Sequence, residues 1–289
     1  MWIADKWEDY ELIDAADGER LERWGEFILR RPDPQIIWKS AAKDTKWNYA
    51  DGVYKRSSKG GGGWVKNDLP QEWNIGYKEL KFVLKPMGFK HTGLFPEQAA
   101  NWDWFSDCIV KAGRPIKVLN LFAYTGGATV AAAKAGASVV HVDAAKGMVA
   151  QAKENAALSG LASAPIRYIV DDCKKFVERE IRRGNRYDAI IMDPPSFGRG
   201  PNGETWKLEE CIDGLVSLTA NLLSDNPLFF LINSYTTGLS PLTMRYLLEV
   251  NVSKRYGGSC EASELALPVK STGLFLPCGG SARWTAENH

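Results

Sequence analysis

VLNLFAYTGGATVAAAKAGASVVHVDAAKGM, residues 118–148, reads as strand, tight turn, helix and strand in immediate succession. Ile116–Phe122 is a continuous apolar strand, Gly126–Ala135 a helix of small residues and Ser138–Asp143 a second apolar strand. Strands apolar on both faces belong to a parallel sheet covered on both sides. The turn through Ala123, Tyr124, Thr125, Gly126 and Gly127 must pass sharply from strand into helix. Glycine permits both the dihedrals and the close approach of a ligand to the backbone. The start of the next helix offers N–H groups to a negatively charged group. Asp143 ends the second strand, 17 residues beyond Gly126, where a carboxylate suits ribose hydroxyls.

The alternation continues. Ala145–Leu158 reads as a helix stopped by Ser159-Gly160, Ile166–Val170 as a strand and Asp172–Arg183 as a helix. Tyr187–Asp193 and Leu228–Asn233 are two more apolar strands, and Gln98–Lys111 is a helix ahead of the first strand. Glu264–Pro268 and Leu274–Leu276 are too close for a helical crossover, so an antiparallel hairpin should close the sheet. The expected fold is α/β: a Rossmann-like, doubly wound, mostly parallel sheet with a C-terminal antiparallel hairpin and a small N-terminal β-rich domain. The expected boundaries are 1–88 and 89–289.

Two further stretches carry chemistry. After the third strand comes Asp171-Asp172-Cys173, where an acidic side chain can accept from an adenine amine. Asp172 is preferred, because Asp171 could equally cap the following helix. Cys173 then lines the pocket as a small apolar group. The fourth strand runs into Asp193-Pro194-Pro195-Ser196-Phe197. The prolines lock the backbone and remove two N–H donors, so bare carbonyls beside a carboxylate await a flat, donor-bearing heterocycle. Phe197 offers a stacking face. A plain Pro-Pro turn is the bland alternative.

A nicotinamide dinucleotide fits less well than S-adenosyl-L-methionine, because G-x-G-x-x-G is absent and a methionine tail needs only a short turn. The expected cofactor contacts are Phe122, Tyr124, Thr125, Gly126, Asp143, Ala144, Asp172 and Cys173; the expected catalytic group is Asp193, Pro194 and Phe197. The set LNLFAYTGG, VVHVDAAKG, YIVDDC and YDAIIMDPPSFG resembles the bacterial 23S ribosomal RNA methyltransferases of the cytosine-5 and guanine-N7 group, within the class I S-adenosylmethionine-dependent methyltransferases. His91–Gln98 (HTGLFPEQ) is similar to that group's entry loop, and the resemblance implies Phe95 and Gln98 as further cofactor contacts.

Two departures limit the transfer. Cytosine-5 methylation needs a thiolate to attack the ring, yet neither Asp193–Phe197 nor the stretch Asn233-Ser234-Tyr235-Thr236-Thr237 contains cysteine. The N-terminal region is also short for both a separate RNA-binding module and the β-rich linker of some relatives. Methylation of an RNA base at nitrogen is therefore the favoured reading. A protein or small-molecule methyltransferase and a non-catalytic cofactor-binding protein are the alternatives.

The amino-terminal third is less informative. Leu21, Trp24 and Ile28 recur at helical spacing, predicting a helix from Gly18 to Arg30 stopped by Arg31-Pro32-Asp33-Pro34. Gln35–Trp38, Trp47–Tyr54, Gly63–Val65 and Glu79–Leu84 read as strands, and the run Gly60–Gly63 as a mobile hairpin tip. Residues 36–90 hold eleven Lys or Arg against five Asp or Glu, with seven interleaved Trp or Tyr (Trp38, Trp47, Tyr49, Tyr54, Trp64, Trp73, Tyr77). These suit a single-stranded RNA surface or, equally, a core with a solvated face. A net charge of +1 makes no general case for nucleic acid. Five dispersed cysteines and three histidines offer no metal site. With 45% hydrophobic residues, no apolar run of membrane length and an acidic start unlike a signal peptide, a cytoplasmic protein is expected.

Overall fold

The computed structural model describes residues 1–39, 45–57, 61–199, 205–236 and 238–287. The chain forms two compact units that are not consecutive in sequence: Met1–Trp2 with Ala100–Leu265 and Cys278–His289, and Ile3–Ala99 with Ala266–Pro277. The expected single boundary at 88/89 gives way to several crossings. The reason is that the far end of the final hairpin returns to the N-terminal unit, where Lys270 N donates to Leu12 O and Ser271 Oγ to Asp14 Oδ1.

After β1 (Trp2–Ile3), the smaller unit carries a five-stranded sheet in chain order: β2 (Tyr10–Ala16), β3 (Glu19–Trp24), β4 (Phe27–Pro32), β5 (Gly52–Arg56) and β6 (Gly62–Asn67). A separate hairpin, β7 (Trp73–Tyr77) and β8 (Leu80–Leu84), follows. The helix expected over Gly18–Arg30 is not there. Ala16 pairs with Glu19 and Trp24 with Phe27, so each connection is a two-residue loop. Asp17 (φ 52°), Gly18 (φ 80°) and Gly25 (φ 64°) supply the left-handed residues that such loops require. Glu22 misled the periodicity. It lies fully buried beside Leu21 because Arg31 forks onto both its oxygens (2.7 and 2.8 Å) and Tyr10 donates to it at 2.9 Å. Burial alone would raise the Glu22 carboxyl; Arg31 and Arg20 outweigh it and hold the group below the usual carboxylate range.

Gln35–Trp38 is not a strand either. Asp33 accepts from Gln35 N and from Ile36 N, turning the chain after Pro32. The Trp47–Tyr54 run divides into a single turn, Thr45–Asn48, and the start of β5. Strand β2, in the acidic opening stretch, went unforeseen. Gly60 lies outside the described residues; β6 begins at Gly62. Trp47, Tyr54 and Tyr77 are buried and Trp64 and Trp73 spend their indole N–H on backbone carbonyls. Most aromatics of residues 36–90 are thus structural, with Trp38, Tyr49 and Phe89 exposed.

The larger unit holds α1 (Ala99–Lys111), β9 (Lys117–Leu121), α2 (Gly127–Lys134), β10 (Ser138–Asp143), α3 (Lys146–Leu158), β11 (Ile166–Val170), α4 (Cys173–Arg182) and β12 (Ala189–Met192). A short hairpin, β13 (Phe197–Arg199) and β14 (Thr205–Lys207), precedes α5 (Leu208–Ala220) and β15 (Phe229–Ser234). Then come α6 (Pro241–Leu248), α7 (Lys254–Tyr256), β16 (Ser259–Pro268) and β17 (Phe275–Thr285). The sheet order is β1-β16-β17-β15-β12-β9-β10-β11. The pairs among β11, β10, β9, β12 and β15 are parallel, and β17 runs antiparallel to β15. This is the expected doubly wound sheet with its reversed closing strand. Leu119, Leu121, Ile190, Met192, Phe230 and Ile232 are buried in one core. Among the described residues no helix is long and apolar enough to cross a membrane.

Candidate active site

The chain order reverses between β9 and β12: β10 and β11 extend the sheet on one side, β12, β15 and β17 on the other. Such a switch opens a crevice outside the carboxyl ends of the strands. β9 leaves the sheet at Leu121, and Phe122 (φ 55°), Tyr124 (φ 51°) and Gly126 (φ 83°) take left-handed backbone. For the two residues with side chains this costs about 1–2 kcal/mol each, and strain of this kind clusters at ligand clamps. Neighbours hold the turn. Phe122 N donates to Cys173 Sγ at 3.2 Å, Tyr124 N to Asp143 Oδ2 at 2.8 Å, and Asn155 Nδ2 to Thr125 O at 2.8 Å. A Cβ on Gly126 would stand 2.7 Å from that of Ala152, and one on Gly127 2.7 Å from the Trp102 ring. Gly126 gives α2 no side-chain cap, which leaves its first amides to an external acceptor.

Asp143 Oδ1 accepts from Ala145 N at 2.8 Å, fixing the carboxylate between two backbone donors. An ionised carboxylate offers about four acceptor positions, so about two remain for hydroxyls. Ala144 is exposed beside it. The caps at β11 are the reverse of the sequence argument. Asp172, not Asp171, caps α4, its Oδ1 accepting from Lys175 N at 2.9 Å. Asp171 is engaged by Arg179 and by Asp172 N. Asp171, which could equally have been the cap, is instead the carboxylate bound to an arginine. Burial pushes the Cys173 thiol up, consistent with an inert wall residue.

At the end of β12, Asp193 is half-buried and its Oδ1 accepts from Asn233 Nδ2 at 2.9 Å. Pro194 is buried, and its carbonyl accepts no bond among the described residues. The expected pair of bare carbonyls is reduced to this one, because Trp206 Nε1 donates to Pro195 O at 2.7 Å. Trp206 belongs to β14, whose hairpin the sequence reading missed, and its ring lies 5.9 Å from that of Phe122. A lone tryptophan in a glycine-rich loop was the only available signal. Thr236 Oγ1 donates to Ser196 Oγ at 2.7 Å, tying the ends of β12 and β15 together, and Phe197 is 54% exposed. Phe95 and Gln98 belong to the other unit, at the single turn Pro96–Gln98, where the Phe95 ring lies 5.0 Å from His91. No group of three metal-ligating side chains occurs among the described residues.

Beneath the cofactor turn, His141 is fully buried with Nδ1 2.9 Å from Thr129 Oγ1, itself held by Asn120 Nδ2. Burial pushes the imidazole down from 6.5 to about 4. The unfolded chain therefore takes up a proton first, so the stability present above pH 6.5 is lost as pH falls toward 4. The melting temperature should drop across that window, and His141→Asn, which keeps an amide near the Nδ1 position, should flatten the drop. An unchanged profile would show that His141 is not held neutral.

Fold and crevice together suit a bound nucleoside cofactor at the switch point of the sheet. The model of the S-adenosylmethionine-dependent methyltransferase family matches residues 30–238, and the chain belongs to that family. It is similar to a SAM-dependent methyltransferase from Agrobacterium tumefaciens of known crystal structure: TM-score 0.91, 36% identity, 99% of this chain and 93% of that one. A protein solved in complex with SAH shares the fold, with TM-score 0.70, 20% identity, and coverage of 97% of this chain and 76% of that one. Among curated relatives, the ribosomal RNA large subunit methyltransferase K/L of Shewanella frigidimarina is 35% identical over 144 residues, 48% of this chain and 19% of that protein. The namesake from Shewanella oneidensis is 34% identical over 148 residues, 50% of this chain and 20% of that protein. The chain thus spans about a fifth of the length of these relatives.

Proposed function

We propose that this enzyme methylates a base of RNA, ribosomal RNA foremost, at nitrogen and without a covalent cysteine adduct, as a cytoplasmic protein. The observation that carries the reading is the Asp193–Pro194 acceptor pair at the end of β12 with no cysteine in its own segment or at the end of β15. Cys173, the cysteine nearest the cofactor turn, has its thiol pushed up by burial, the opposite of an activated nucleophile. RNA as substrate is supported by the names of the relatives and by the basic surplus in residues 36–90.

S-adenosyl-L-methionine supplies, when bound, a methyl group on a positive sulfonium. The uncapped start of α2 would receive its carboxylate, Asp143 its ribose hydroxyls and Asp172 its adenine amine, with Phe122, Tyr124, Thr125 and Ala144 lining that side. Asp193 and Pro194 accept hydrogen bonds from the target base, and the exposed Phe197 ring gives it a stacking face. A nitrogen with a lone pair needs orientation toward the methyl group more than activation.

The test is transfer of tritium from labelled cofactor into RNA, protein and small-molecule fractions. Label should appear in RNA and, after digestion, in a nitrogen-methylated nucleoside; label confined to protein or metabolites would overturn the substrate. Cys173→Ala and Cys211→Ala should both keep activity. A stable adduct with RNA containing fluorinated cytosine would refute the non-covalent mechanism.

A further inference from the structure

Behind Asp193 runs a line of polar side chains that the reaction as read above does not use. Asn233 Nδ2 donates to Asp193 Oδ1 at 2.9 Å, and Ser281 Oγ donates to Asn233 Oδ1 at 2.7 Å. Asn101 Nδ2 donates to Ser281 Oγ at 3.0 Å. Arg283 closes the line, with Nε 3.1 Å and Nη2 2.8 Å from Asn101 Oδ1. Asn101, Asn233 and Ser281 are at most 1% exposed and Arg283 6%. The guanidinium lies 3.5 Å from the Trp2 ring centre and 4.7 Å from that of Trp104, and Nη2 also reaches Ala100 O at 3.0 Å.

The direction of this line is forced. A guanidinium only donates, so Asn101 must turn its carbonyl toward Arg283 and its amide toward Ser281. Ser281 accepts there and has one proton left, which goes to Asn233 Oδ1. Asn233 then has only its NH2 to present to Asp193. Either amide taken alone fits both ways round, and the arginine removes that freedom from the far end. Reversing any one link would bury an acceptor against an acceptor or a donor against a donor, at the full cost of an unsatisfied polar group.

We infer that Asn233 is a positioning residue that holds Asp193 as an oriented acceptor, its own direction set by Arg283 through Asn101 and Ser281. The inference rests on the reading of Asp193 as the group that contacts the target. One carboxylate oxygen is fixed by a protein donor whose orientation cannot relax, so the plane of the carboxylate is set before substrate arrives. Small misplacements of a reacting group cost about a hundredfold in rate, which is reason enough to anchor this one in the core.

A matched pair tests it. Ser281→Thr keeps the hydroxyl, whereas Ser281→Val has the same shape without it, so a packing effect strikes both alike. Turnover on in vitro transcribed ribosomal RNA should be at least about tenfold lower in the valine variant than in the threonine variant. Calorimetric affinity for S-adenosylmethionine should match between the two. In the cofactor-free proteins, the side-chain amide resonances of Asn233 should keep the parent's positions with threonine and move with valine. If neither variant melts cooperatively, Asn233→Asp, close in shape but unable to donate, should lose turnover with cofactor affinity retained. Equal turnover and unmoved amide resonances in the valine and threonine variants, with Asp193→Ala inactive, would overturn the relay and leave Asp193 in place. Full turnover in Asp193→Ala would remove Asp193 from the reaction, and the relay with it.

Discussion

Asp193→Ala is expected to lower kcat by about two to three orders of magnitude, the scale seen when an oriented polar group at the reacting centre is removed. Affinity for S-adenosylmethionine should change little. The separation follows from where the two carboxylates sit. Asp143 ends β10 and is fixed between Tyr124 N and Ala145 N, against the cofactor turn. Asp193 follows β12, across the switch in strand order, with Asn233 behind it and Pro194 next in the chain. Asp193→Asn is the finer control, since its carbonyl can still accept from Asn233 while its NH2 replaces the acceptor that faces the target. It should resemble alanine in turnover. Single-turnover kinetics with saturating cofactor separates the effect on chemistry from product release. A variant that binds cofactor weakly yet turns over normally once saturated would move Asp193 into the cofactor site.

Asp143→Ala should show the opposite signature. Two charge-assisted hydrogen bonds to ribose are worth roughly 1.5–3 kcal/mol each, so titration calorimetry should show affinity weakened by at least about a hundredfold. The change also frees Tyr124 N and Ala145 N, loosening a turn whose left-handed residues need holding. At saturating cofactor, turnover should recover most of its parent value. Unchanged affinity would take Asp143 out of the binding site.

The parts of this molecule legible in sequence were those encoded over short spans. Strands β10 and β11 were readable to the residue, and α2 and α3 to within one residue at each end, because apolar runs and glycine turns follow one another without interruption. The hairpin of β3 was misread because a helical spacing of Leu21, Trp24 and Ile28 competed with a period of two that Glu22 masks. A carboxylate counts as a solvent position until its partner is known, and Arg31 lies on the next strand. Asp17-Gly18 and Gly25 were the better signal, since left-handed loop residues constrain the backbone more tightly than three apolar positions do.

Sequence by itself determined the doubly wound sheet, the tight turn after β9 and the placing of Asp143 and Asp193 at strand ends, for all of these are properties of consecutive residues. Tertiary structure alone decided which carboxylate caps α4, that Trp206 closes one of the two proline carbonyls, and that Asp193 is held from behind. Asn233 lies 40 residues from Asp193, Ser281 lies 48 from Asn233, and Arg283 lies 182 from Asn101. A polar residue on a buried strand carries no local mark of its partner. Its hydrogen bond exists only once the sheet has brought distant segments side by side, and burial then makes it obligatory.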